Sequence, residues 1–90
     1  MYYVYILQSP KIEKLYAGLT SDLKKRLVEH NEGKSTFTKF GRPWELVYYE
    51  AYKNKKDAAS REKYLKSGWG RNYIKQTLKN YFNDKKINGN

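Results

Sequence analysis

LYAGLTSDLKKRLVEH, residues 15–30, changes its periodicity halfway along. Leu15–Leu19 reads as a short strand, with Tyr16 and Gly18 on one face and Leu15, Ala17 and Leu19 on the other. Thr20, Ser21 and Asp22 then supply helix N-cap and first-turn chemistry. A helix is expected to run to about Glu32, where Gly33 can end it in the left-handed region. Each residue of a helix advances about 100°, so with Leu23 at zero Leu27 falls near 40°, His30 near −20° and Arg26 near −60°. Lys25 and Glu29 point well away. An arginine and the single histidine of the chain therefore flank the apolar stripe that should face the interior.

The flanking sequence extends this strand-to-helix unit into a fold. Residues 1–8, MYYVYILQ, read as a strand that is apolar on both faces: Tyr3, Tyr5 and Leu7 on one, Tyr2, Val4 and Ile6 on the other. With Leu15–Leu19 it makes a hairpin joined through Ser9–Lys14. Residues 34–43, KSTFTKFGRP, form a basic loop, and Trp44–Tyr52 is a third strand. Asn54 caps a second helix, with Asp57 at the third position, that ends near Ser67-Gly68. A third helix is expected over about Arg71–Phe82, with Ile74, Leu78, Tyr81 and Phe82 as its stripe. The order β-β-α-β-α-α describes an α/β domain, a small three-stranded sheet flanked by helices. Residues 1–83 make one domain, and DKKINGN, residues 84–90, reads as a frayed tail.

Composition narrows the partner. Nineteen Lys and Arg against nine Asp and Glu leave a net charge of +10 on 90 residues, beside ten tyrosines. A compact domain this basic attracts polyanions, of which nucleic acid is the commonest; a solubilising lysine coat is the plainer alternative. There is no cysteine, which excludes disulfides, thiolate metal sites and cysteine nucleophiles and fits a reducing cytoplasm. No apolar run reaches 18 residues, so no membrane-spanning helix is expected. The N-terminus lacks the basic segment and small-residue cleavage site of a signal peptide.

A second polar intrusion lies on the second helix. Ala58, Glu62 and Leu65 fall within about 60° of one another, so Glu62 sits mid-stripe. A carboxylate there is paired, metal-bound or at a cleft edge, because an unpaired buried ion costs several kcal/mol. Taken alone, Glu62 reads equally as half of a Glu–Arg bridge between helices, His30 as a hydrogen-bonded core residue, and Tyr5 and Tyr16 as packing. Taken together, Tyr5, Tyr16, Arg26, His30 and Glu62 are a base, a phosphate clamp, a proton partner and a metal ligand near one sheet face. Gly18, on the face of Tyr16, leaves room there for a close approach.

At these residues the sequence resembles the GIY-YIG nuclease family, and especially its small stand-alone bacterial members. The first motif corresponds to Tyr3-Val4-Tyr5 and the second to Tyr16-Ala17-Gly18, eleven residues on, counted tyrosine to tyrosine. Arg26, His30 and Glu62 match the helix arginine, the histidine one turn later and the metal-binding glutamate. RPWELVYYE and REKYLKSGWGR are similar to the stand-alone branch, and the resemblance covers roughly residues 2–80. Tyr3 stands where the first motif has glycine, and Val4 and Ala17 replace the central isoleucines of the two motifs. The separate DNA-recognition or partner-binding domain of better understood members has no room in this chain.

The resemblance implies metal-dependent hydrolysis of phosphodiesters in DNA, with RNA possible as substrate. Glu62 would hold Mg²⁺ or Mn²⁺, Arg26 would clamp the non-bridging oxygens, and Tyr5 or Tyr16 would activate water. An unperturbed tyrosine is only about 0.1% ionised at pH 7, and full ionisation needs roughly 4 kcal/mol of differential stabilisation. His30 as proton acceptor is the alternative route. Lys24, Lys25, Lys34, Lys39 and Arg42 are the expected nucleic-acid contacts, with Phe37 or Phe40 stacking on an exposed base. Two other functions stay open: a nucleic-acid-binding module of the same fold without catalysis, and an accessory protein whose basic face docks on an acidic partner.

Overall fold

The computed structural model of the chain describes residues 1–88. Strand β1 (Tyr2–Ser9) and β2 (Lys14–Thr20) form the expected hairpin, and helix α1 (Leu23–Asn31) follows. A single 3₁₀ turn at Lys39–Gly41 interrupts the basic loop before β3 (Glu45–Tyr52). Helices α2 (Lys55–Leu65), α3 (Gly68–Thr77) and α4 (Lys79–Asn88) complete the chain.

The sheet is antiparallel in the order β2-β1-β3, so β1 is central and β2 an edge. A central strand must be covered on both sides, which is why both its faces are apolar. Val4 and Ile6 meet Ala58, Leu65 and Ile74 of α2 and α3, with Leu78 and Phe82 against them. Tyr5 and Leu7 meet Trp44, Tyr16 and the α1 leucines, Leu23 and Leu27. The domain is thus three layers, α1 on one face of the sheet and α2–α4 on the other.

The expected caps hold these layers in place. Asp22 accepts from Lys25 N at 3.1 Å and starts α1; Gly33 ends that turn with φ of 80°. Asn54 accepts from Lys56 N at 2.8 Å and starts α2. The C-terminal third differs from expectation. Ser67 caps a helix that begins at Gly68, and that helix stops at Thr77 because Leu78 leaves helical geometry at φ −107° and ψ 25°. The chain resumes as α4, in which Tyr81 Oη donates to Gln8 Oε1 at 2.8 Å and Lys85 Nζ to the same oxygen at 3.3 Å. Residues 84–88 are therefore helical rather than a frayed tail, and residues 89 and 90 lie outside the described residues.

A second departure concerns ion pairing between layers. The bridge that ties α2 to the sheet is Arg61–Glu50. The Glu50 carboxylate accepts from Arg61 Nε at 2.8 Å and Nη2 at 3.0 Å, and from the Tyr48 and Tyr52 phenols at 2.5 and 2.6 Å. Burial pushes the Glu50 pKa up, and these donors outweigh it and hold it below its usual value. Glu62 makes no such bridge to an arginine among the described residues and pairs instead with Lys66, the C-cap of its own helix.

Candidate active site

The helical register of α1 does what its sequence dictates. His30 is 0% exposed and Tyr5 is 2% exposed, and Tyr5 Oη lies 2.8 Å from His30 Nε2. On the other side of the ring, His30 Nδ1 lies 2.7 Å from Thr38 Oγ1. One imidazole thus satisfies two buried hydroxyls. With Nδ1 protonated, His30 donates to Thr38 and accepts the Tyr5 proton at Nε2; the other tautomer reverses both roles. Burial, reinforced by the Arg26 charge, lowers the His30 pKa below 6.5, so the ring is neutral at physiological pH.

Thr38 is the residue the sequence did not disclose. It sits in the basic loop, but it is buried, and the loop around it is fastened down. Trp44 Nε1 donates to Thr38 O at 2.7 Å, Asn31 grips the Trp44 backbone at 2.7 and 3.0 Å, and Ser9 Oγ donates to Gly41 O at 2.5 Å. A threonine flanked by two exposed phenylalanines carries no periodic signal of burial.

Gly18 shows why that position has no side chain. It pairs with Tyr5 across the hairpin, and a Cβ there would lie 3.0 Å from Tyr5 Cε1 and closer still to Cζ and Oη. The Tyr5 ring therefore crosses over Gly18. Tyr16, opposite Leu7, is half-buried. Its ring meets His30 at 5.2 Å, Tyr5 at 6.5 Å and Trp44 at 6.3 Å between centroids.

Arg26 is half-buried at the rim of this cluster. Its Nη1 contacts Glu29 Oε1 at 3.3 Å. Burial raises the Tyr5 pKa, and the Arg26 guanidinium, by hydrogen bonding and charge, pulls it partly back. Glu62 stands on the far helical layer. Its half-buried carboxylate pairs with Lys66 Nζ at 2.9 Å through Oε2, and its charge reaches Tyr5 as a smaller influence that raises the same pKa. Tyr5, Tyr16, Arg26 and His30 are thus brought together, and Glu62 reaches them by charge rather than by a hydrogen bond.

No group of three or more His, Cys, Asp or Glu able to hold a metal exists among the described residues. A closed, all-protein zinc site does not fit. A single carboxylate does fit Mg²⁺ or Mn²⁺, because such ions keep water and take phosphate oxygens as their remaining ligands. The expected nucleic-acid contacts are all exposed but fall in two patches. Lys24, Lys25 and Lys34 line a shallow cleft along α1. Lys39 and Arg42 line another with Phe40, where Arg42 Nε donates to Lys39 O at 2.8 Å. No helix among the described residues is long and apolar enough to cross a membrane.

Comparison with known proteins identifies a family. The model of the GIY-YIG catalytic domain matches residues 1–83. A UPF0213 protein of Clostridium perfringens (strain 13 / Type A) is 48% identical over 67 residues, covering 73% of this chain and 71% of its own length. A UPF0213 protein of Bacillus pumilus (strain SAFR-032) is 42% identical over 71 residues, covering 78% and 70%. One from Streptococcus pyogenes serotype M5 (strain Manfredo) is 43% identical over 65 residues, covering 71% and 70%. No solved structure matches the chain. The family model takes in all three strands, their motif tyrosines, Arg26, His30 and Glu62, and the chain belongs to the GIY-YIG catalytic domain family.

Proposed function

We propose that the chain is an endonuclease that hydrolyses phosphodiester bonds in DNA, selecting structure or a loosely specified sequence, with Mg²⁺ or Mn²⁺ held by Glu62. The observation that carries this reading is the cluster of Tyr5, Tyr16, Arg26 and His30 over the bare backbone of Gly18. Family membership supports a nuclease chemistry for it.

We assign the two tyrosines different roles, and their environments support the division. Tyr5 is sealed from water, its phenol is tied to His30, and burial raises its pKa. It is suited to orient, not to take a proton from bulk water. Tyr16 is half-buried beside it and is the phenol that can meet a water molecule; we assign it the water-activating role. His30, neutral and fully buried, fixes the Tyr5 phenol through Nε2 and is itself fixed by Thr38. Arg26 sits where its fork can take two non-bridging phosphate oxygens, exchanging its contact with Glu29 for the substrate. The ion at Glu62 would polarise the phosphate and stabilise the leaving oxygen. Lys24, Lys25, Lys34, Lys39 and Arg42 supply the field that gathers the polyanion.

The test is cleavage of a panel of branched, duplex and single-stranded DNA, and of RNA, with Mg²⁺, with Mn²⁺ and with chelator. Cleavage that needs the ion and falls on substitution of Tyr16 by Phe, with binding retained, is the expected result. Binding that weakens steeply with salt and no cleavage on any substrate overturns the catalytic reading in favour of a binding module.

A further inference from the structure

The loop between α1 and β3 is built inside out. Its backbone makes two successive turns, Ser35 O accepting from Thr38 N at 3.3 Å and Thr38 O from Gly41 N at 3.1 Å. Turns of this kind repeat every three residues, so side chains three apart share a side. Ser35, Thr38 and Gly41 form the side turned in, and all three are buried. Phe37 and Phe40 share the side turned out and are 86% and 78% exposed. Hydrophobic burial alone would turn this segment the other way.

Polar contacts fix which side faces water. Thr38 bonds His30 through its side chain and Trp44 through its carbonyl, and Gly41 O accepts from Ser9 Oγ. The same contacts join the turn to the candidate active site. His30 bonds Tyr5 on its other nitrogen, and the Trp44 ring meets that of Tyr16. Turn and cluster thus lie on one face of the sheet, the face that α1 covers.

A single exposed aromatic is ordinary, but two on one fixed turn among cations are not. Lys39 Nζ lies 5.9 Å from the centroid of the Phe40 ring, and Lys11, Lys39, Phe40 and Arg42 line one shallow cleft. No carboxylate among the described residues pairs with Lys11, Lys39 or Arg42. Aromatic faces interleaved with free cations suit a polymer that alternates flat rings and phosphates. Phenylalanine has no hydrogen-bonding group, so it can offer a base only its ring. In a duplex the faces of the bases are covered by their neighbours.

We infer that Phe37 and Phe40 form a stacking platform for unpaired bases, with Lys11, Lys39 and Arg42 holding the adjoining phosphates. The substrate class of the proposed nuclease is then nucleic acid with a single-stranded segment within reach of this turn. This deepens the nuclease reading and rests on it. The tie from Thr38 to His30 favours nucleic acid over an anionic lipid surface, which would also take phenylalanines set among lysines.

Binding separates these ideas. The full chain is titrated, in chelator and at about 100 mM salt, with labelled oligo-dT, oligo-U, a blunt DNA duplex and vesicles of anionic lipid. Stacking on an aromatic is worth about 1–3 kcal/mol per base, so Phe37→Ala and Phe40→Ala should each weaken single-strand binding about 5- to 150-fold. Duplex affinity should stay within about twofold. Phe40→Tyr should keep the affinity, and Phe40→Leu, apolar but without a ring, should not. Both positions face water, so these variants should melt with the wild type. Loss on oligo-dT, oligo-U or both supports the inference. Unchanged single-strand affinity in both alanine variants, an equal loss on the duplex, or wild-type affinity in Phe40→Leu overturns it while leaving the nuclease reading intact. Loss of vesicle binding with single-strand binding kept overturns it in favour of a lipid surface. A wild-type chain that binds no nucleic acid overturns both.

Discussion

Replacing His30 by Leu removes a buried hydrogen-bonding hub with little change of volume. The structure gives the magnitude. Tyr5 Oη and Thr38 Oγ1 each lose the imidazole as partner, and both residues are closed to water. A buried group left unsatisfied costs about 1–3 kcal/mol, so His30→Leu should cost about 2–6 kcal/mol. A domain of this length has roughly 5–13 kcal/mol in total, so the variant should be severely destabilised yet still measurable. Tyr5→Phe alone orphans one imidazole nitrogen and should cost about 1–3 kcal/mol. In the double variant Tyr5 and His30 no longer need one another, and Thr38 alone is orphaned. The double variant should therefore cost at least about 1 kcal/mol less than the sum of the two single changes. Urea denaturation followed by circular dichroism, with unchanged slopes, reads all four corners of the cycle. Strict additivity would refute a direct Tyr5–His30 bond, and a cost below about 1 kcal/mol for His30→Leu would refute the hub itself.

Three further outcomes follow from the same contacts. The folded His30 pKa lies below 6.5, so between the two values the unfolded chain binds more protons; its contribution is full above about pH 6.5 and is lost as the pH falls towards the folded value. Urea midpoints should drop across that window in the wild type, and less steeply in His30→Leu. Gly18→Ala must push the Tyr5 ring off its seat on His30 and should cost about 1–3 kcal/mol, or about 4–8 °C of melting temperature per kcal/mol; an unshifted melting curve would contradict the ring's placement. Duplex binding through about five phosphates should show a log–log salt slope near −4.5, and loss of Lys39 or Arg42 should shallow it by about 0.9 each in a salt titration.

Local patterns made most of the fold legible. The two apolar faces of Tyr2–Ser9 required cover on both sides, and α1 and α2 provide it. The α1 register sent His30 inward before any partner was known. Caps at Asp22 and Asn54 stood within a residue or two of their expected positions because capping is a local competition for backbone N–H groups. What escaped was partnership at long range. Periodicity places His30 on a face but does not name Thr38, which comes from a loop without repeat. It places Glu62 on a half-buried stripe but does not say that the inter-layer bridge belongs to Arg61 and Glu50. The break at Leu78 escaped for a related reason. Arg71–Phe82 is continuous in pattern, and nothing in it marks Leu78 as the residue that leaves helical geometry or Gln8 as the distant partner of Tyr81.

If the cluster of Tyr5, Tyr16, Arg26 and His30 cuts nucleic acid with an ion held by Glu62, substitution of Glu62 should separate cleavage from binding. Wild type and Glu62→Gln are incubated with the substrate panel in Mg²⁺ or Mn²⁺, and cleavage and binding are measured side by side. Because an ion at the phosphate supplies several kcal/mol of charge stabilisation, Glu62→Gln should lose about 100-fold or more of the cleavage rate while keeping its affinity. Ion-dependent cleavage that persists at the wild-type rate in Glu62→Gln would rule out Glu62 as the residue that holds the ion.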